Sequence, residues 1–435
     1  MVKEKFIKTT IILMIGGLIT KILGMIIKII MNRLVGIEGI GLYMLIFPTF
    51  SLFMCMSQLS LPVSISKLVS EEKHNNKKLM ASSIPIVLIT NISLMGLIFL
   101  IAPILSNTFL HDSRTYLPIL AISLVLPFEA LSNLLRGYFF GKQKMLPHVI
   151  SHVIEQIVRL SLIVLVIPSL VNQNIVYAVC FLILVNMISE FSSIIILMLF
   201  LPKNAVIRKC DLKPNRKDLK NILNISIPTT GSRLIGNIGY FLEPIILTFV
   251  LTTVGYSNNY ILSEYGIISG YVMPLLLLPS FFTNAISQAL IPVISKSYSN
   301  NMYKDTKRKL KQGILFSLAI GIPATILFLL FPNFFINLIY NTTEGIEYIR
   351  FLAPVFLLHY LETPLASSLQ AMGKAKETFN ISLKTTIIRS ISLFILLFFK
   401  IGMWGFLFSL TISIIYSTYE HLKYIKKFLV DLNSF

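Results

Sequence analysis

The chain has 435 residues and a formal net charge of +19, yet charged residues make up only 13% of it, 55% is hydrophobic and the mean hydropathy is +0.79. A soluble domain carries about twice that share of charge, so the composition points to an integral membrane protein and away from a soluble enzyme. Apolar segments long enough to cross about 30 Å of hydrocarbon as helices recur from end to end, and alternating ten-residue strands are absent, which excludes a β-barrel.

The basic opening MVKEKFIKTT leads into an apolar run that continues past Lys21 without a small-residue cleavage site, so the first span reads as an uncleaved helix. Apolar runs between polar breaks predict twelve spans: 9–31, 42–65, 82–105, 116–139, 148–168, 175–200, 222–249, 265–292, 312–332, 349–369, 379–399 and 403–422. The alternation of Lys and Arg between loops tests that count, because a wrong number of spans would scramble it. One side collects 28 of the 38 cations, including Lys3, Lys5 and Lys8, Lys67 to Lys78, Arg136 to Lys144, Lys203 to Lys220, Lys296 to Lys311, Lys374 and Lys376, and Lys423 to Lys427. The other side holds Arg33, Arg114, Arg350 and Lys400. Both termini are therefore expected in the cytoplasm. The excess charge fits anionic headgroups at the inner face and needs no nucleic acid.

Of the three cysteines, Cys55 and Cys180 fall in apolar segments and Cys210 in a basic loop, so neither a disulfide framework nor a metal site is expected. No glycine-rich phosphate loop, no metal-spaced histidine cluster and no long outer loop is present. The sequence implies no cofactor and no enzyme.

The chain repeats itself. TKILG at residues 20–24 reads like SRLIG at 232–236, PVSISK ending at Lys67 like PVISK ending at Lys296, and GKQK at 141–144 like GKAK at 373–376. Each of the last two is followed by a helix with an aliphatic–arginine pair, Val158-Arg159 and Ile388-Arg389. Six spans return the chain to its starting side, so the copies form a parallel repeat of two six-helix bundles, 1–201 and 220–435, joined by a basic cytoplasmic linker at 202–219.

Six cations fall inside spans: Lys21, Lys28, Arg159, Arg233, Lys384 and Arg389. Lys21 lies 13 residues beyond Lys8 and Arg233 lies 13 beyond Lys220, about 20 Å along a helix and near the midplane. A lone charge there costs about 3 kcal/mol, so the pair argues for a shared aqueous cavity. Lys28 shares the face of Lys21 two turns on, where it either lines that cavity or snorkels to the outer interface. His148, His152, Glu155 and Arg159 form one stripe, and Glu155 with Arg159 is either a structural pair or part of the cavity lining. Glu243 precedes Pro244, which removes a backbone donor from the seventh span, so this charged, bent segment suits a moving part; a structural acceptor role for Glu243 fits equally. Glu129, Glu190 and Glu362 are further intramembrane acids that could belong to a proton or sodium site.

The stretches GLITKILGMIIKIIMNRLVGIEGIGLYMLIFPTF, SQLSLPVSISKLVSE, SRLIGNIGYFLEP and MPLLLLPSFF together resemble the stage V sporulation protein B group of polysaccharide-export proteins. That group lies in the multidrug/oligosaccharidyl-lipid/polysaccharide exporter superfamily, alongside the MurJ-type lipid II flippases. The resemblance implies a V-shaped pair of bundles around a central cavity that opens to each side in turn and carries an undecaprenyl-diphosphate-linked sugar outward, for cell-wall or spore-cortex synthesis. It also implies a substrate role for Lys21, which stands where MurJ-type proteins place an arginine in a Ser-Arg-x-x-Gly setting. Those proteins use further arginines in the second and eighth helices, where this chain has no cation, and add two C-terminal helices not found here. The expected substrate-binding set is Lys21, Lys28, Arg233, Arg159 and Arg389, with Glu155, Glu243 and Pro244 in coupling or gating. Two rival readings are a multidrug efflux antiporter, which would favour acids in its cavity, and a non-transporting scaffold for sporulation wall enzymes.

Overall fold

The computed structural model describes residues 2–70, 75–142, 144–202 and 215–430, and in the first helix the side chains from Gly16 onward. Lys73 and most of the expected linker, including Lys203, Arg208, Lys209, Cys210 and Lys213, lie outside the described residues, as do the side chains of Lys3, Lys5, Lys8 and Lys296. The described chain is helical throughout, with no strand. Eight of its helical segments are long and apolar enough to cross a membrane.

Helix α1 (Val2–Gln58) has 57 residues, about 85 Å at 1.5 Å per residue and far more than one crossing needs. Two expected spans run through it, and Gly36 bends the chain between them at φ 71 and ψ −177, a conformation that glycine adopts without a Cβ clash. The second of these spans is expected to run to 65. It breaks earlier, at Leu59 (φ 44) and Ser60 (φ 47), before resuming as α2 (Leu61–Ser70). Pro62 accounts for the break, because it has no N–H for the carbonyl of Gln58 and its ring crowds that position.

Helices α3 (Asn76–Ile104), α4 (Tyr116–Gly141), α5 (Met145–Gln173) and α6 (Ile175–Leu199) follow the expected third to sixth spans. Helix α7 (Arg216–Val254) is helical straight through Pro244. The expected eighth span is broken into α8 (Asn258–Gly266), a π-helical turn, α9 (Met273–Leu276) and α10 (Ser280–Ser299), the last interruption falling at Pro279. Then come α11 (Tyr303–Leu330), the short α12 (Pro332–Tyr340), α13 (Ile346–Ala371), α14 (Ala375–Leu397) and α15 (Trp404–Val430).

The chain divides into two compact units, Met1–Phe241 and Leu242–Phe435, so the boundary falls inside α7, just before Glu243 and Pro244. In the first unit, Leu61, Ile65, Leu79, Phe139, Leu197 and Ile222 pack into one apolar core. The leading part of α7 is fixed there by a ladder of small polar side chains. Ser226 Oγ donates to Ser64 Oγ at 2.8 Å, Thr230 Oγ1 to Ser60 Oγ at 3.2 Å, and Ser51 Oγ to Asn237 Oδ1 at 2.9 Å. Small polar residues suit this role in hydrocarbon, where backbones approach closely and each hydroxyl needs a partner. In the second unit, Ile294, Leu365, Leu369 and Ile381 join α10, α13 and α14 in a separate core.

Helices α2 and α4 meet through Gly137 and Gly141, one turn apart. A Cβ on Gly137 would lie 2.9 Å from Pro62 Cα, and one on Gly141 would lie 2.8 Å from the Ser66 carbonyl oxygen. Gly137→Val should therefore cost about 1–3 kcal/mol through overpacking against backbone. Gly24→Ala meets nothing within 4 Å and should leave stability unchanged or raised. Thermal unfolding of the detergent-purified variants checks the contrast.

Candidate functional site

The expected stripe on α5 is real, and it is part of a larger buried network. Arg159 Nη2 donates to Glu155 Oε1 at 2.8 Å, one turn back on the same helix, and His152 Nδ1 lies 3.3 Å from Glu155 Oε2. The second oxygen of Glu155 also takes Arg136 Nη2 of α4 at 2.7 Å. The same Arg136 nitrogen reaches Glu190 Oε2 of α6 at 3.1 Å and Ser193 Oγ at 3.0 Å. One guanidinium thus ties three helices together. Its charge position makes Arg136 look like one of the inner-face cations, but only 6% of it is exposed, and it serves as an internal counter-ion. The overlooked signal was Glu129, seven residues earlier and so on the same face of α4.

Lys21, Lys28 and Arg233, all carried by the first unit, are disposed differently: each is exposed on its helix. Among the described residues, no ion pair joins Lys28 or Arg233 to an acid. In both TKILG and SRLIG the cation stands three residues before a glycine and shares its face, and a Cβ on Gly24 or Gly236 would meet nothing within 4 Å. These glycines are not packing sites. They leave a bare strip of backbone beside each cation, which a ligand can approach closely.

In the second unit, Arg389 of α14 pairs with Glu243 of α7, whose other oxygen accepts from Tyr265 Oη at 3.3 Å. The repeat-related arginines Arg159 and Arg389 are therefore both held by carboxylates, but one partner is local and the other comes from a helix distant in sequence. Lys384 is exposed on α14. Glu362 is occupied by His359 Nδ1 at 3.1 Å and by Ser417 Oγ. The structure thus sets Arg136, Arg159 and Arg389 against buried carboxylates, whereas Lys21, Lys28, Arg233 and Lys384 are exposed on their helices.

Arg136→Ala should lower stability by about 3–5 kcal/mol, because Glu155 and Glu190 lose their shared counter-ion inside the bundle. Arg136→Met combined with Glu190→Gln should recover a large part of that loss. Thermal unfolding of the single and double variants in detergent measures both.

Residues 6–298 match the family described as polysaccharide biosynthesis protein, and residues 237–395 match the family described as MatE. Stage V sporulation protein B of Bacillus subtilis (strain 168) is 34% identical over 406 residues, covering 91% of this chain and 78% of the relative. Two solved structures share the fold at 16% identity. An inward-facing multidrug resistance MATE family transporter of the MOP superfamily has a TM-score of 0.75, covering 95% of this chain and 96% of its own. The lipid II flippase MurJ, in an inward closed conformation, has a TM-score of 0.73, covering 97% and 90%.

Proposed function

The chain belongs to the polysaccharide biosynthesis protein family, and on that premise we propose that this multi-pass transporter of the MOP superfamily is a flippase for a lipid-linked sugar diphosphate. The observation that carries the reading is the polarity of the exposed charges. Lys21, Lys28 and Arg233 present cations on open helix faces of the first unit, while Glu155, Glu190 and Glu243 are each bound to an arginine. A site of that sign suits a diphosphate and opposes an organic cation, which counts against a drug antiporter. A lysine at position 21 supplies the charge as a compact ammonium, without the bidentate fork of arginine.

The similarity to stage V sporulation protein B supports a cell-wall or cortex precursor as cargo, and undecaprenyl diphosphate as its carrier. The prenyl chain would stay in lipid while the cations hold the diphosphate. An inside-negative potential favours outward movement of the anion by about 2.3 kcal/mol per charge per 100 mV. The host membrane in this reading is the bacterial cytoplasmic membrane, with both termini inside and anionic lipids against the basic inner loops.

Movement would centre on α7. The helix passes from one compact unit to the other at Phe241/Leu242, and Pro244, just beyond, has no N–H to complete the helical ladder. Glu243 latches this segment to Arg389, so in this reading the pair acts in gating.

Lys21→Ala and Arg233→Ala should each abolish or greatly reduce outer-leaflet delivery of the precursor at normal protein abundance. A structural passenger would behave oppositely, because deleting an intramembrane charge lowers the insertion cost. Lys21→Arg should retain function, and Lys28→Ala should be milder, because it lies nearer the outer interface. Complementation of a deletion strain, with abundance measured in parallel, is the test. Full complementation by both alanine variants would remove the proposed cationic site.

A further inference from the structure

Between α11 and α13 the chain forms a helix that the pattern of spans does not need. Helix α11 begins among Lys304, Lys307, Arg308, Lys309 and Lys311, and α13 ends just before Lys374 and Lys376, so both put their basic ends on the same side of the membrane. From residue 312 to Leu330, α11 rises about 28 Å, which uses up the hydrocarbon thickness of about 30 Å. Helix α12 (Pro332–Tyr340) therefore starts at the interface opposite the basic loops, and α13 sets out again from that side at Ile346. The chain turns at Phe331, whose backbone at φ −125 and ψ 42 leaves the helical region, and Phe335 packs edge-on against Phe328 of α11 with ring centroids 5.4 Å apart. The matching connection of the first half, between α3 and α4, holds a π-helical turn and a single 3₁₀ turn instead of such a helix.

Helix α12 has three faces, each built on the four-residue step of a helix. Pro332, Ile336 and Tyr340 are buried against the second unit. Asn333 and Asn337 are exposed. Phe334 and Leu338 are exposed as well, at 61% and 59%, and they continue the step of the exposed row Ile322, Ile326 and Leu330 along α11. Standing upright beyond the membrane, α12 would put Phe334 and Leu338 in water. Lying flat, it keeps them among acyl chains and turns the amide row toward headgroups and water. We propose that α12 lies in the plane of this interface as a lipid-binding helix: acyl chains of the leaflet opposite the basic loops are the partner of Phe334 and Leu338, and their hold fixes the π-helical turn of the eighth span.

The buried face carries the link. Tyr340 packs its ring on Tyr271 of the π-helical turn Ile267–Val272, with centroids 5.0 Å apart. Gly345, at φ 86 in the loop after α12, lies so close to the same turn that a Cβ on it would be 2.8 Å from Ile267 Cγ2 and from Val272 Cγ2, and 3.7 Å from Ile336 Cδ1. Downstream, the Ser280 N–H bonds to the carbonyl of Leu277, and Tyr360 Oη of α13 donates to the carbonyl of Leu276 at 2.6 Å. The irregular part of the eighth span is thus held by α13 at Leu276 and by α12 at Tyr271. Turns of this π-helical kind are rare and frequent at functional sites. The inference goes beyond the substrate reading, because it needs neither a lipid-linked sugar nor a transport step.

Trp404 is the one tryptophan of the chain, so Trp404→Phe gives a background free of tryptophan. On that background, in the full chain reconstituted into vesicles, Phe334→Trp should emit toward the blue and be quenched more by lipids brominated near the headgroup than by lipids brominated at the chain end. Asn337→Trp should emit toward the red and be quenched by aqueous iodide. Equal quenching of the two positions by lipid, or stronger quenching of Phe334→Trp by the deep bromines, overturns the flat placement. Where Trp404→Phe fails to fold, the same two variants are read as differences from the constant Trp404 signal. Hydrogen exchange over residues 266–276 reads the link: Phe334→Ala with Leu338→Ala should speed it, and Asn337→Ser should not. Either alanine variant alone serves where the pair fails to fold. Exchange unchanged in the alanine variants, or raised equally in Asn337→Ser, overturns the hold on the turn.

Discussion

A charge inside hydrocarbon needs a counter-charge or water, and that constraint organises this molecule. Where a counter-charge is available, the arginine side chain uses it to join helices. Arg136 binds α4 to α5 and α6, and Arg389 binds α14 to α7. The cations on exposed faces have a different consequence. On a lipid-facing surface a midplane cation such as Arg233 would cost about 3 kcal/mol, and this expense is relieved if its face meets water or an anionic ligand. In the proposed reading, the same physics that stabilises the first unit also marks where it would bind substrate.

The paired network also explains why the first unit can hold a broken second span. A non-glycine turn in the left-handed region costs on the order of 1–3 kcal/mol per residue and persists only where its surroundings fix it. Here Gln58 is held to Glu129 on one side of the turn and Ser60 to Thr230 on the other. The α2–α4 contact at Gly137 and Gly141 then anchors the chain immediately downstream. Helix α7 is gripped by the first unit through Ser226, Thr230 and Asn237 and by Arg389 after Glu243, so it has two separate sets of attachments along one continuous helix.

Much of this was legible in the sequence, because hydropathy and the alternation of basic loops are properties of segments. Spans three to six coincide with single helices, and the Glu155–Arg159 pair follows from i,i+4 spacing alone. What spacing does not carry is the partner from another helix. Arg136 reads as the edge of a basic loop because Lys142 and Lys144 follow it, and only the fold brings Glu190 beside it. Glu243 and Arg389 are likewise joined by tertiary packing. The interruptions at Leu59–Ser60 and around Pro279 sit at prolines visible in the sequence, but an apolar run scored by hydropathy passes straight over them. The open faces of Gly24 and Gly236 needed coordinates altogether, since glycine in a membrane helix more commonly marks a close contact.

The claim on which the account turns is that the exposed cations of the first unit recognise a diphosphate. The most direct measurement is equilibrium retention by the purified wild-type protein of undecaprenyl diphosphate, compared with undecaprenol and with an organic cation such as tetraphenylphosphonium, across a range of salt concentrations. The account predicts strong retention of the diphosphate that weakens as salt rises, with little retention of either comparator. Equal retention of the diphosphate and the uncharged prenol, or preference for the organic cation, would contradict it.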